Sequence, residues 1–106
     1  MSSGQNELVS FMKDKRLNNI VKILKDELHP EKIILFGSRA KGNALFNSDY
    51  DIAVNSESIS LRDKRKLKEK VDSVIGLHKF DIVFLNEVDE GFRNIIEQKG
   101  KVIYER

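Results

Sequence analysis

The hydrophobic positions of this chain follow two patterns that alternate along the sequence. Three stretches repeat their apolar residues at steps of three and four, which lines one face of a helix. The stripes are Leu17, Ile20, Val21, Leu24 and Leu28; Leu67, Val71, Val74 and Ile75; and Val88, Phe92, Ile95 and Ile96. We predict that the first helix ends before Pro30. The second is predicted over 61–77, with its end near Gly76, and the third is predicted to end at Gly100.

Between the helical stripes lie short runs rich in β-branched and aromatic residues, which predict strands. They are KIILF at 32–36, YDIAV at 50–54, FDIVFL at 80–85 and KVIYE at 101–105, the last expected at a sheet edge. The element order is therefore α, β, β, α, β, α, β. It favours an α/β or α+β fold with about four strands and helices packed against the sheet. We expect one domain over 1–106, with residues 1–15 loosely ordered.

Composition narrows the class of protein. The 106 residues are 40% hydrophobic and 34% charged, as in a globular protein, with no cysteine and a net charge of +2. Zinc–thiolate sites and disulfides are excluded, and nearly balanced charge does not favour binding to nucleic acid. No signal peptide and no run of about 18 apolar residues is visible, so we expect the cytoplasm and no membrane contact.

A glycine turn directly follows the first predicted strand, in the segment LFGSRAKGN. Gly37 and Gly42 have P-loop spacing, but Asn43 and Ala44 stand where that loop needs Lys and Ser or Thr. A GxGxxG dinucleotide fingerprint is also missing. Two interpretations remain: the turn offers backbone N–H groups and the Ser38 hydroxyl to phosphate, or it only reverses the chain.

Three aspartates follow on the next two predicted strands. Asp49 and Asp51 alternate, so both side chains point to one face and can share a hard cation such as Mg²⁺. The alternative is that Asp49 caps a turn and Asp51 begins a strand. Asp81 lies between apolar neighbours, where burial of a carboxylate is costly without a partner or a metal; an edge position or a salt bridge would also explain it. The combination fits a two-metal site better than any one residue does.

The pattern GSRAKG, five residues, SDYD and then Asp81 closely resembles the signature of the DNA polymerase beta-like nucleotidyltransferase superfamily. In its short length, the chain resembles the minimal nucleotidyltransferases of this superfamily, the MNT-type antitoxins that are encoded beside a HEPN-type protein. The resemblance implies a mixed sheet flanked by helices and transfer of a nucleoside monophosphate, from ATP or another NTP, to a hydroxyl with release of pyrophosphate. Tyr50 stands where this family often has an aliphatic residue, which changes packing on the opposite face.

The resemblance also implies roles for particular residues. Asp49, Asp51 and Asp81 would be the catalytic set that holds two Mg²⁺ ions, and Asp81 could accept the proton of the acceptor. The residues assigned to the nucleotide are Gly37, Ser38, Arg39, Lys41 and Ser48. For Arg39 and Lys41 the alternative is a solvated or ion-paired surface position.

A chain of 106 residues leaves no room for a second domain that would bind the acceptor. We therefore expect it to be a partner protein, by resemblance a HEPN-type protein encoded nearby and modified with AMP on a tyrosine, or a molecule held across a homo-oligomer interface. Two other functions stay open: a non-catalytic binding module that neutralises its partner, and a nucleotidyltransferase for a small molecule such as an aminoglycoside. The basic run LRDKRKLKEK at 61–70 predicts a solvated helix face rather than a surface for RNA or an acidic partner.

Overall fold

The computed structural model describes residues 14–37, 49–76 and 79–106. These residues form three helices and four strands in the predicted order. The elements are α1 (Lys15–Leu28), β1 (Lys32–Phe36), β2 (Tyr50–Asn55), α2 (Leu61–Ile75), β3 (Phe80–Phe84), α3 (Glu90–Lys99) and β4 (Lys101–Glu105). The α+β class with a four-stranded mixed sheet is confirmed. The loose order expected for 1–15 falls mainly on residues outside the described part and stays a prediction.

The four strands form one sheet in the order β3-β2-β1-β4. β1 is antiparallel to both of its neighbours, and β2 runs parallel to β3. The parallel pairing places Asp51 directly beside Asp81, and the antiparallel pairing places Phe36 beside Asp51. The last strand lies at a sheet edge, as predicted.

Helices α1 and α2 cover one face of the sheet and enclose the larger core. Alternate strand residues point into it, including Ile33, Leu35, Ile52 and Phe80. They meet the stripes of the two helices, whose buried members are Leu17, Ile20, Val21 and Leu24 on α1 and Leu67, Val71 and Ile75 on α2. Val74, which we had placed in the second stripe, is 39% exposed and lies at the margin of the buried face.

Helix α3 covers the other face over a much smaller core, made of Ile34, Ala53, Leu85 and Ile96. The third predicted stripe was therefore partly wrong. Val88 precedes the N-cap residue Asp89 and lies outside the helix, while Ile95 is exposed. Because this one short helix buries few residues, the described residues cover only part of this sheet face.

Gly100 ends α3 as predicted, with its N–H bonded to the Ile96 carbonyl. Its φ of −78° is open to any residue, so backbone freedom does not explain the glycine. A Cβ at this position would meet the Ile34 side chain and would lie 2.6 Å from the Ile96 oxygen. The glycine is required for close packing of α3 on β1.

The basic run on α2 is tied to the rest of the chain more than its sequence indicates. Lys64 pairs with Glu87 at 2.6 Å, Lys70 pairs with Glu27 at 2.7 Å, and Lys68 donates to the Phe80 carbonyl at 2.6 Å. Lys64 also lies over the ring of Phe84, so Lys64 and Lys68 join α2 to the two ends of β3. None of the helices in the described ranges has the length and apolar character needed to cross a membrane.

Candidate active site

The sequence-predicted carboxylates meet at one end of the sheet. Asp49 directly precedes β2, Asp51 is its second residue, and Asp81 is the second residue of β3. Side chains two apart on a strand share a face, so Asp51 lies on the face of Ala53 and Asp81 on that of Val83. Both apolar residues pack in the smaller core under α3. The carboxylates therefore lie on the partly covered face, beyond the apolar residues that α3 buries.

Asp51 is the electrostatic centre of this group. Its partial burial raises its pKa, and the negative charges of Asp81 and then Asp49 raise it further. Asp49 and Asp81 are therefore close enough to disfavour the charged form of Asp51, and the three carboxylates form a region of concentrated negative charge. Such a region is stabilised by a cation.

Asp81 has one of the environments that its sequence left open, an edge position. Its side chain is exposed, because β3 is an edge strand and its apolar neighbours Phe80 and Ile82 point to the opposite face. The costly desolvation that drew attention to Asp81 is therefore absent. Asp81 belongs to the group because of its register with Asp51.

Gly37 brings the end of β1 against Asp51. Its φ is +75°, in the left-handed region that glycine favours. A Cβ here would overlap the Asp51 carboxylate and lie 3.2 Å from its Cγ. Glycine thus permits both the turn and the close approach of the backbone to the Asp51 carboxylate. Both would be needed for a turn that presents N–H groups next to the carboxylates.

Tyr50 and Asp14 form a support for the group that the sequence reasoning missed. The Tyr50 ring is buried in the larger core, and its hydroxyl donates to Asp14 Oδ2 at 2.9 Å. The other Asp14 oxygen accepts the N–H groups of Arg16 and Leu17 and caps α1. An aspartate three residues before the first apolar residue of a helical stripe was a visible signal for such a cap.

Four predicted nucleotide-binding residues, and the second glycine of the turn, lie outside the described residues. They are Ser38, Arg39, Lys41, Gly42 and Ser48. Their assigned roles stay predictions. The structure brings together Gly37, Asp49, Asp51 and Asp81 from the predicted set.

The donor chemistry of the carboxylates fits Mg²⁺, which prefers oxygen ligands. The charges of Asp81 and Asp49 both raise the pKa of Asp51, which indicates that the three carboxylates lie near one another. As the side chains lie in the structure, no three acidic, histidine or cysteine residues within 14–37, 49–76 and 79–106 enclose a common point suited to an ion. The fit therefore rests on charge and donor type, not on a closed ligand cage.

Residues 18–106 match the family model described as "Polymerase beta, Nucleotidyltransferase". The chain belongs to this nucleotidyltransferase family. The match spans all seven elements of the structure except the first residues of α1. It agrees with the family resemblance of the turn and the aspartates.

Individual relatives place the chain near one branch of the family. It is 31% identical over 83 residues to the protein adenylyltransferase MntA of Aphanizomenon flos-aquae, a match that covers 69% of this chain and 55% of that protein. The chain thus spans little more than half the length of this curated relative. A crystal structure described as a toxin–antitoxin with AMP-PNP is 28% identical with a TM-score of 0.75, covering 84% of this chain and 73% of that one.

A second solved structure contains a tri-AMPylated HEPN toxin of Shewanella oneidensis in complex with an MNT antitoxin. It matches with 25% identity and a TM-score of 0.69, over 86% of this chain and 71% of the other. Both structural matches confirm the nucleotidyltransferase fold. The minimal nucleotidyltransferases are the branch of the family to which the chain is similar.

Proposed function

We propose that this chain transfers AMP from ATP to a hydroxyl group of a HEPN-type partner protein, in a Mg²⁺-dependent reaction, and so acts as an antitoxin. The observation that carries the proposal is the meeting of Asp49, Asp51 and Asp81 on one sheet face beside Gly37. Membership of the nucleotidyltransferase family, and similarity to an adenylyltransferase and to toxin–antitoxin structures, support it.

The carboxylates would hold two Mg²⁺ ions, which supply charge neutralisation at the phosphates and activation of the attacking oxygen when bound. In the reaction, the acceptor oxygen forms a bond to the α-phosphorus of ATP while the bond between that phosphorus and the pyrophosphate oxygen breaks. Pyrophosphate leaves with the electron pair. The acceptor loses its hydroxyl proton, and Asp81 is the base we assign to it because its side chain is exposed and its charge is felt at Asp51.

The open character of the site bears on the acceptor. Asp81 is exposed on an edge strand, and α3 covers only the apolar part of this face. A bulky acceptor, such as a side chain of another protein, can approach such a surface. Single-domain organisation and a cytoplasmic location stay predictions, and the partner follows from the similarity to MNT–HEPN complexes.

Labelled ATP tests the reaction. The purified chain is incubated with Mg²⁺, the product of the neighbouring gene and ATP carrying label at either the α- or the γ-phosphate. We expect label on the partner from α-labelled ATP only, because AMP transfer discards the β- and γ-phosphates. Label from γ-labelled ATP would instead show phosphoryl transfer and contradict the proposal.

The matched control is the double variant Asp49→Asn, Asp51→Asn, which removes two charges without changing side-chain size. It should transfer no label. If the double variant still neutralises the partner in cells while transferring nothing, neutralisation requires binding alone, and the antitoxin role does not depend on AMP transfer.

A further inference from the structure

Tyr50 lies between Asp49 and Asp51 in the sequence, yet its side chain points to the opposite face of the sheet. Its ring is only 1% exposed and packs in the larger core beneath α1 and α2. A phenol at this depth needs a hydrogen-bond partner, and Asp14 Oδ2 accepts from it at 2.9 Å. The acceptor is a carboxylate, so the bond is of the stronger, charge-assisted kind.

The tyrosine is held from three directions. Besides its ring and hydroxyl, its backbone N–H donates to the Lys79 carbonyl at 2.9 Å, directly ahead of β3. Asp14 in turn caps α1 through its other oxygen. One residue therefore connects the start of β2 to the start of α1 and to the segment that leads to Asp81.

Asp49 is joined to this anchor by the peptide bond between residues 49 and 50. Asp49 precedes the first paired residue of β2, so the sheet ladder does not hold it directly. Its peptide bond to Tyr50 is its described attachment to the fold. Displacement of ligands by about 1 Å is enough to weaken a site strongly, and residues that orient ligands commonly affect metal affinity by about 10–100-fold.

We infer that the hydrogen bond from Tyr50 to Asp14 positions Asp49 and Asp51 for divalent-metal binding. Tyr50 and Asp14 are positioning residues, since they act through the aspartates and face away from the reacting groups. The inference rests on the proposed function, because the aspartates must be metal ligands for their placement to matter in this way.

The test measures Mn²⁺ binding directly, by the loss of the free Mn²⁺ signal in electron paramagnetic resonance during titration of the full chain. Tyr50→Phe removes only the hydroxyl. Asp14→Ser keeps a good N-cap but lacks the second oxygen that reaches the phenol. Each variant should bind Mn²⁺ about tenfold more weakly, and the double variant no more weakly than either, because both break the same bond.

Ser60→Ala is the matched control. Ser60 caps α2 by accepting the Asp63 N–H, and it lies on the loop after β2, at the sheet end opposite the aspartates. Its loss should lower thermal stability to a similar extent and leave Mn²⁺ binding unchanged. Equal weakening in Ser60→Ala, or wild-type binding in Tyr50→Phe, would overturn the inference.

The wild type and the Asp49→Asn, Asp51→Asn variant separate this inference from the proposed function. If the wild type binds Mn²⁺ and the double aspartate variant does not, the metal site stands, and only the behaviour of Tyr50→Phe and Asp14→Ser decides the inference. If the wild type binds no better than the double aspartate variant, the metal site and the inference fail together.

Discussion

Gly37 occupies a position that excludes a side chain for two separate reasons, its positive φ and its contact with Asp51. Gly76 has a similar φ of +66°, but a Cβ there would meet nothing within 4 Å. A substitution at Gly76 therefore tests backbone strain alone, whereas a substitution at Gly37 adds the clash with the Asp51 carboxylate.

We expect Gly37→Ala to lower AMP transfer at least tenfold, because the new methyl group displaces the Asp51 carboxylate. Gly76→Ala should lose about 1–3 kcal/mol of unfolding free energy from strain, since a φ of +66° with a ψ of −123° suits glycine, and should keep its activity per folded molecule. Initial rates together with thermal melts check this. Equal loss of activity in both variants would mean that strain, not the Asp51 contact, is responsible.

Asp51→Asn should raise the melting temperature in metal-free buffer by about 1–3 °C, since it removes a partly buried charge that opposes two like charges. The same variant should lose transfer activity and the stabilisation that Mg²⁺ gives the wild type. Thermal melts with and without Mg²⁺ measure both effects. A lower melting temperature in metal-free buffer would show that the carboxylate makes a stabilising contact.

The aspartates that we propose as the catalytic set could be found from the sequence, but the contacts that hold them in place could not. Asp49, Asp51 and Asp81 were predictable from alternation and motif. The Tyr50–Asp14 bond joins residues 36 positions apart, and only tertiary packing brings them together. For Asp81 the sequence left a buried, an ion-paired and an edge position open, because sequence neighbours do not reveal whether a strand is at an edge.

At the scale of elements, the predicted strands and helices agree with the structure to within a few residues. Local spacing fixes such elements, and their stripes were clear for α1 and α2. α3 was less well predicted, since it buries only Ile96 and its exposed apolar residues extended the apparent stripe. The register that aligns Asp51 with Asp81 depends on long-range pairing and was not predictable from local pattern.

The contact between α2 and the segment after β3 should depend on pH. Hydrogen bonds from Lys64 and Ser58, with the Lys64 charge, hold the pKa of Glu87 below its usual value. A lowered pKa in the folded state stabilises the fold above the unfolded-state pKa of about 4.3, and this stabilisation is lost as pH falls through the folded-state pKa.

Glu87→Gln should therefore lower the melting temperature at pH 7, by a few degrees at most because the pair is near the surface, and the deficit should be smaller at about pH 3. Glu57→Gln makes the same change on the exposed loop between β2 and α2 and should have no effect at either pH. A Glu87→Gln deficit of equal size at pH 3 and at pH 7 would exclude the ion pair as its cause.

Close packing of α3 on β1 is a second property of the elements that can be tested. Gly100→Ala should cost about 1–3 kcal/mol of unfolding free energy, because the methyl group meets Ile34 and the Ile96 carbonyl. Gly91→Ala, with its nearest contact at 3.6 Å, should be neutral or slightly stabilising. Chemical denaturation measures both. A neutral Gly100→Ala would show that α3 shifts readily on the sheet.

At the scale of the whole molecule, the two faces of the sheet differ in how much apolar surface they bury and in which one holds the aspartates. The face under α1 and α2 contains most of the buried apolar residues, including the ring of Tyr50, and supplies stability. The opposite face combines a small core with the exposed end where the aspartates meet. Anchors in the stable face can thus support carboxylates on the open one.

We propose above all that this chain transfers AMP to a partner protein and needs Asp49 and Asp51 to do so. The most direct measurement is intact-mass spectrometry of the HEPN-type neighbour after coexpression with this chain. We predict a mass increase of one or more AMP units with the wild type and none with the Asp49→Asn, Asp51→Asn variant, at equal levels of both proteins. An unmodified partner with the wild type, or the same modification with the double variant, would contradict the account.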